Sequence, residues 1–404
     1  MNSAIRRLCT ASVGVVAVAG LLAGCGSNNN NSSKSSTSTT AKKVSVSATS
    51  FTPDFSVMKQ LTSLAAQGSG KIGVLLPDTA SSARYVAFDA PLLERAFKAA
   101  GLTSADFKID NAQGSAVTQQ QQAEADITEG ATVLLLDQLD SGSAAAIETN
   151  AQAHGVKVID YDRLTKGGVD GRYYVSFDNV TVGKLIGQGL VDCISSWNVA
   201  QPQVLELDGD PTDNNATLFA QGYNSVLQPK FDSGTYVKVA EPGGTWNNQT
   251  ALTLFEQQYT AHANINAVVA ANDGLGNAVI SALKTRNVPA KKIPVTGQDA
   301  TAQGIQNVLA DYQCGSVYKP IQVEAQAAAA MALYLRAGQT PPKALVNGTT
   351  HDPTANKDVP SVLLTPVWVT KANIKATVIK DAFLKASEIC TTDTATACKD
   401  AGIS

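Results

Sequence analysis

Charge is scarce in these 404 residues. Asp, Glu, Lys and Arg together make up 16% of the chain and nearly cancel, 34 acidic against 31 basic. With a net charge of −3 and no basic stripe, nucleic acid is not an expected partner. Histidine is rarer still. His154, His262 and His351 are the only three, and no two stand in HxxxH or HExxH spacing, so the usual signature of a catalytic zinc is missing. No GxSxG precedes a helix, which removes the nucleophile elbow of the serine hydrolases. "GSGK" (68–71) lacks the leading Gly and the trailing Ser or Thr of a phosphate loop and reads as a turn before a strand. "GLGNAV" (274–279) opens a helix with two glycines where a dinucleotide fingerprint has three. "LDGDPTD" (207–213) is acidic but lacks calcium-loop spacing and its distal Glu. No metal, cofactor or covalent chemistry is expected.

Long apolar runs are also missing, save one. "ASVGVVAVAGLLAG" (11–24) follows Arg6 and Arg7, is short for a membrane span, and ends at Leu22-Ala23-Gly24-Cys25. This resembles a bacterial lipobox, which implies cleavage after residue 24 and diacylglyceryl on Cys25. Residues 25–52 are rich in Ser, Asn and Thr and should form a flexible tether. The random-coil relation gives it a mean span of roughly 25–30 Å. The expected location is extracytoplasmic, lipid-anchored to the outer face of the plasma membrane. Four cysteines remain beyond Cys25, an even number for an oxidising compartment. Cys390–Cys398 is the expected short-loop disulfide, which leaves Cys193–Cys314.

From Lys71 onward the chain alternates strand and helix. "KIGVLLPD", "DFKID", "ATVLLLD" and "VKVIDYD" are separated by helical patterns, several closing on Gly. The alternation restarts after "YYVSFDN" with "QVLELDGD", "YVKVAEPG", "INAVVAAND", "KIPVTGQD" and "QCGSVYK". Helices fall near 180–194, 214–228, 248–262, 274–286, 301–311 and 321–338. "PDFSVMKQLTSLAAQG" (53–68) is expected as one amphipathic helix, and "SVLLTPVWV" (361–369) as a last strand before a polar tail. The fold class is α/β: two Rossmann-like halves with parallel sheets covered by helices.

One strand poses a question. "VKVIDYDRLTKGG" (156–168) begins as a core strand and ends in Asp160, Asp162 and Arg163. Such groups are rarely buried unless paired. Other strands end the same way, in Arg84-Tyr85, "PTDNNA", Trp246, Asn272-Asp273 and Gln298-Asp299. Ligands of open parallel sheets bind at the carboxyl ends of the strands. A set of carboxylates, amides, guanidinium groups and aromatics suits a neutral polyol. The polar groups exchange hydrogen bonds with hydroxyls, and an aromatic ring, Tyr85 or Trp246, covers a C–H face.

From about Lys71 to Ser387 the chain resembles the type I periplasmic sugar-binding proteins, and among them the D-xylose binders of ABC importers. The residues carrying this are "YDR" (161–163), "YYVSFDNVTVGKL" (173–185), "DNNATLF" (213–219), "ANDG" (271–274), "GQDA" (297–300), "VYKP" (317–320) and "DVPSVLLTPVWVTKANIKATVIKDAF" (358–383). The resemblance implies two lobes, 53–174 with 319–360 and 175–318 with 361–404, joined by three crossovers near 174–176, 317–319 and 363–365. It implies sugar contacts from Arg84, Asp162, Arg163, Asn215 (or its neighbour Asn214), Asn272, Asp299 and Lys319, with Trp246 stacking. Tyr85 stands where xylose binders carry a Trp. The implied partners are a monosaccharide and an ABC permease with its ATPase subunits, served by a monomer that is no enzyme. Rival readings are a sugar sensor, a repressor of the same fold and a glycosidase using Asp162 and Asp299.

Overall fold

The computed structural model describes residues 45–82 and 84–403. The leader, Cys25 and most of the expected tether lie outside these residues. The end of that tether does not behave as one: Val46, Ala48 and Phe51 are buried, and the Ala48 N–H donates to the Ala344 carbonyl at 3.0 Å. The packed body therefore starts earlier than residue 53, because three apolar side chains among the serines find a core.

The first sheet contains β1 (Lys71–Leu76), β2 (Phe107–Asn111), β3 (Ala131–Leu136), β4 (Lys157–Tyr161) and β5 (Tyr173–Phe177), joined by β10 (Gly348–Asp352) and β11 (Lys357–Leu364). Their order is β10-β11-β5-β4-β3-β1-β2, parallel except for the β10–β11 hairpin. The second sheet is β6 (Gln203–Leu207), β7 (Val237–Ala240) and β8 (Ala267–Ala270), parallel in the order β7-β6-β8. Val295 bridges to β8, Gln298 bridges to β9 (Ser316–Tyr318), and β9 pairs antiparallel with β12 (Val367–Val369). The segment "KIPVTGQD" thus extends the sheet through single bridges rather than as a strand.

The chain leaves the first sheet after Phe177, returns after Tyr318 and leaves again after Leu364. The expected single strand 361–369 is therefore two strands, in two sheets, split at Thr365-Pro366. Pro366 lacks the N–H that a continuous ladder needs. The returning segment feeds the helix Ile321–Arg336, whose alanines 325, 327, 328, 329 and 330 are fully buried. Their small side chains let it lie close against β3, β4 and β5.

In the second half, the helices Asn179–Ser196 and Asn214–Asp232 pack closely at glycines. A Cβ on Gly183 would stand 2.1 Å from the Phe219 carbonyl oxygen, and one on Gly222 would meet the Gly183 Cα at 2.6 Å. Disulfides join Cys193 to Cys314 and Cys390 to Cys398. Residues 370–403 are no polar tail. Ile374, Val378, Phe383, Leu384, Ile389 and Ile403 form a second core with Ile305, Val308 and Leu309.

Candidate functional site

The question posed by "YDR" is answered by Arg163. Its guanidinium is 5% exposed as a residue, yet every edge is met. Nη1 donates to the Gln138 carbonyl at 3.3 Å and Nη2 to Ser81 Oγ at 3.2 Å. Nε stands 3.3 Å from Asp213 Oδ2 and 3.8 Å from Asp137 Oδ1. The strand ends in charge because the next residues enter a buried polar cluster. Asp162 takes a left-handed backbone, φ 57°, a conformation Asp tolerates better than most residues. Its carbonyl is held by Tyr174 Oη, Ser176 Oγ and Asn215 Nδ2 at 2.8–2.9 Å.

Arg84 is held by three carboxylates. Nε and Nη2 grip Asp89 at 2.8 Å each, Nη2 also reaches Glu324 at 2.6 Å, and Nη1 reaches Asp162 at 2.6 Å. Four of the five guanidinium N–H donors are engaged, and one on Nη1 has no partner among the described residues. Burial pushes the Asp162 carboxyl up, but Arg84, Lys319 and Arg163 outweigh it and hold it below the usual range. Burial drives Glu324 the other way, up to about 8, against the opposing pull of Arg84. Lys319, just past β9, stands 3.4 Å from Asp299 Oδ1 and 3.7 Å from Asp162 Oδ1.

Arg84, Asp162, Arg163, Asp299 and Lys319 line one cavity together with Tyr85, Asn215, Phe219, Trp246, Asn272 and Gln298. It lies where loops from both sheets meet: Ser82 Oγ, after β1, donates to Asp299 Oδ2 at 3.1 Å. The formal charges of the lining cancel, Arg84, Arg163 and Lys319 against Asp162, Asp213 and Asp299. Among the described residues Gln298 Oε1 is buried there without a hydrogen-bond partner, and Asp299 Oδ1 has only its 3.4 Å ion pair with Lys319. A buried acceptor left without a donor is costly, so both oxygens can take a further hydrogen bond. Trp246 forms one wall. Its Nε1 donates to Asp213 Oδ2 at 3.0 Å, and Phe219 meets it edge-on at 6.4 Å between ring centroids. Tyr85 is buried, with its hydroxyl on Asp162 Oδ2 at 3.2 Å.

Nine of the ten residues expected to bind line this cavity: Arg84, Tyr85, Asp162, Arg163, Asn215, Trp246, Asn272, Asp299 and Lys319. Asn214 does not. It is buried outside the lining as the first residue of its helix, and the amide reaching the cavity is Asn215. Ser81, Ser82, Asp213, Phe219 and Gln298 complete the lining and were not among the expected contacts. Phe219 was findable, because it lies four residues after Asn215 and so shares its helix face. Asp213 was hidden behind its ordinary role, capping the helix through the Asn215 N–H.

A family model described as periplasmic binding protein domain matches residues 72–340. The D-xylose-binding periplasmic protein of Escherichia coli is 39% identical over 285 residues, 70% of this chain and 82% of that protein. The multiple sugar-binding periplasmic receptor ChvE of Rhizobium radiobacter is 32% identical over 342 residues, 80% of this chain and 93% of that protein. Among solved structures, a carbohydrate transporter solute-binding protein from Chloroflexus aurantiacus in complex with D-glucose superposes with a TM-score of 0.71. It is 31% identical, and the match covers 78% of this chain and 97% of that chain.

Proposed function

We propose that this chain, which belongs to the family of type I periplasmic sugar-binding proteins, captures one neutral aldopyranose in the cavity around Asp162 and Arg163 and delivers it to an ABC permease. Membership of this family makes it a solute-binding protein and not an enzyme. The observation that carries the reading is the balanced lining, three cations against three carboxylates, with Gln298 Oε1 buried and lacking a partner among the described residues. A charged ligand would unbalance that lining. A polyol leaves it neutral and fills the empty hydrogen-bond positions.

D-Xylose is the first candidate, following the relative of that name, and D-glucose the second, following the sugar in the superposed structure. Arg84, Asp162, Arg163, Asn272, Gln298 and Asp299 take the hydroxyls, and Trp246 takes a C–H face. The three inter-sheet passages, after Phe177, Tyr318 and Leu364, serve as the hinge between a lobe built on each sheet. Sugar favours closure because its contacts come from both lobes. Cys25 carries the lipid that keeps the body near the permease.

Isothermal titration against D-xylose, D-glucose, D-ribose and D-galactose tests this reading. Saturable binding of an aldose with stoichiometry near one supports it, and D-xylose should bind tightest. Absence of heat with every aldose, or binding of sugar phosphates in preference to free sugars, overturns it.

A further inference from the structure

The cleft does not end at the cavity just described. A second pocket, open to solvent, adjoins it as an outer chamber and is lined among others by Asp78, Leu139, Asp210, Thr212, Thr245 and Asn247. Four residues belong to both chambers: Ser81, Arg163, Asp213 and Trp246. They form one continuous chain of polar contacts. Ser81 Oγ accepts from Arg163 Nη2 at 3.2 Å, Arg163 Nε stands 3.3 Å from Asp213 Oδ2, and Trp246 Nε1 donates to the same oxygen at 3.0 Å. Ser81 and Arg163 follow strands of the first sheet, and Asp213 and Trp246 follow strands of the second. The partition between the chambers is thus made of side chains, and it crosses the cleft.

The longest of these contacts is the 3.3 Å approach of Arg163 to Asp213. When it opens, neither group is orphaned. Arg163 keeps Ser81 Oγ and the Gln138 carbonyl, and Asp213 keeps Trp246 Nε1 and the Asn215 N–H. A 3.3 Å contact leaves no room for a linkage, so an ether oxygen between two rings passes only once the two groups have moved apart. The outer chamber repeats the chemistry of the inner one, with hydroxyls on Ser81, Thr212 and Thr245, carboxylates on Asp78 and Asp210, an amide on Asn247 and an apolar surface on Leu139 and Ala80. Its carboxylates, Asp78, Asp210 and Asp213, outnumber its one cation, Arg163, which disfavours a phosphate or carboxylate ligand.

We propose that the outer chamber is a second carbohydrate subsite, so that the protein takes a neutral disaccharide, one ring in each chamber, as well as a single ring in the inner one. The inference rests on the sugar-binding reading above. The inner ring makes the contacts already described. The outer ring lies against Leu139 and meets the Thr212, Thr245 and Asn247 polar groups, and the linkage passes between Arg163 and Asp213.

The test is calorimetric titration of the whole protein with D-xylose and D-glucose and with their 1,4-linked dimers, xylobiose and cellobiose. Two variants narrow the outer chamber only, Leu139→Trp and Ala80→Trp. Leu139 is half-buried, Ala80 is exposed, and neither lines the inner cavity. The expected result is that the dimer of the preferred sugar binds within about tenfold of the monomer, and that each variant weakens the dimer by about tenfold or more while leaving the monomer within about threefold. The inference is overturned if the monomer binds and the dimer gives no heat at about 1 mM, or if the variants weaken monomer and dimer alike. If neither monomers nor dimers bind, the sugar-binding reading falls with it, so the two failures are told apart.

Discussion

Arg163 Nε and Asp213 Oδ2 stand 3.3 Å apart, although one residue follows a strand of the first sheet and the other caps a helix of the second. Burial pushes the Asp213 carboxyl up, and Arg163 pulls it back. The pair spans the cleft and ties its two halves together beside the cavity, while each group keeps other partners of its own.

Arg163→Ala should therefore lose most of the sugar affinity. The variant removes donors from the cavity and leaves Asp137 and Asp213 without their shared cation. Loss of a hydrogen-bonded charge is worth about 1.5–3 kcal/mol, or roughly one to two decades in Kd. Titration calorimetry on the variant checks this, and unchanged affinity contradicts the site.

Trp246→Ala should weaken all bound aldoses by a similar factor, about 1 kcal/mol for the lost ring face. A ring covers a C–H surface and does not read one hydroxyl. Titrations of two epimers against the variant check it. A loss confined to one epimer means that Trp246 reads a hydroxyl through some other geometry.

Strand periodicity located the carboxyl ends and the polar residues just beyond them, while the choice of Arg84, Asn215 and Lys319 as contacts came from the family resemblance. What stayed hidden has physical causes. At the start of the helix Asn214–Asp232 two asparagines stand side by side, and hydropathy cannot say which of them turns to the cavity. β10 escaped notice because its inward residues are Thr350 and Asp352, whose burial rests on partners such as Arg172 rather than on apolar character. The stretch 53–68 has its buried residues Met58, Leu61 and Leu64 three apart, and the backbone answers with i to i−3 bonds, Leu61 to Met58 and Leu64 to Leu61. Two short helical pieces, Ser56–Lys59 and Thr62–Ala65, replace the expected long one. In residues 370–403 the apolar side chains are spaced irregularly, so no single period announced a core there.

Glu324 makes stability depend on pH. Its carboxyl has an ordinary value of 4.5 and is pushed to about 8 when folded, by burial first. Between those values the folded protein holds a proton that the unfolded chain has released, so stability falls as pH rises. The contribution is complete below 4.5 and is lost as pH climbs through about 8. Glu324→Gln keeps an oxygen for Arg84 Nη2 but cannot ionise. Melting temperatures at about pH 5 and about pH 9 should fall less in the variant than in the parent. Equal falls contradict the assignment.

Gly183→Ala should destabilise the second half of the molecule. The new methyl would sit 2.1 Å from the Phe219 carbonyl oxygen, which is backbone and cannot swing aside. Overpacking of this kind costs about 1–3 kcal/mol. Phe219 lines the cavity, so sugar affinity should fall as well. Urea unfolding followed by circular dichroism reads the first effect. An unshifted midpoint means the two helices separate more easily than their glycine contacts imply.

The most direct measurement is a crystal structure of the protein grown with saturating D-xylose. The account predicts one pyranose in the cavity, its hydroxyls on Asp162, Arg163, Gln298 and Asp299 and one ring face against Trp246. A cavity left without sugar, or filled by a metal ion or a nucleotide, contradicts it.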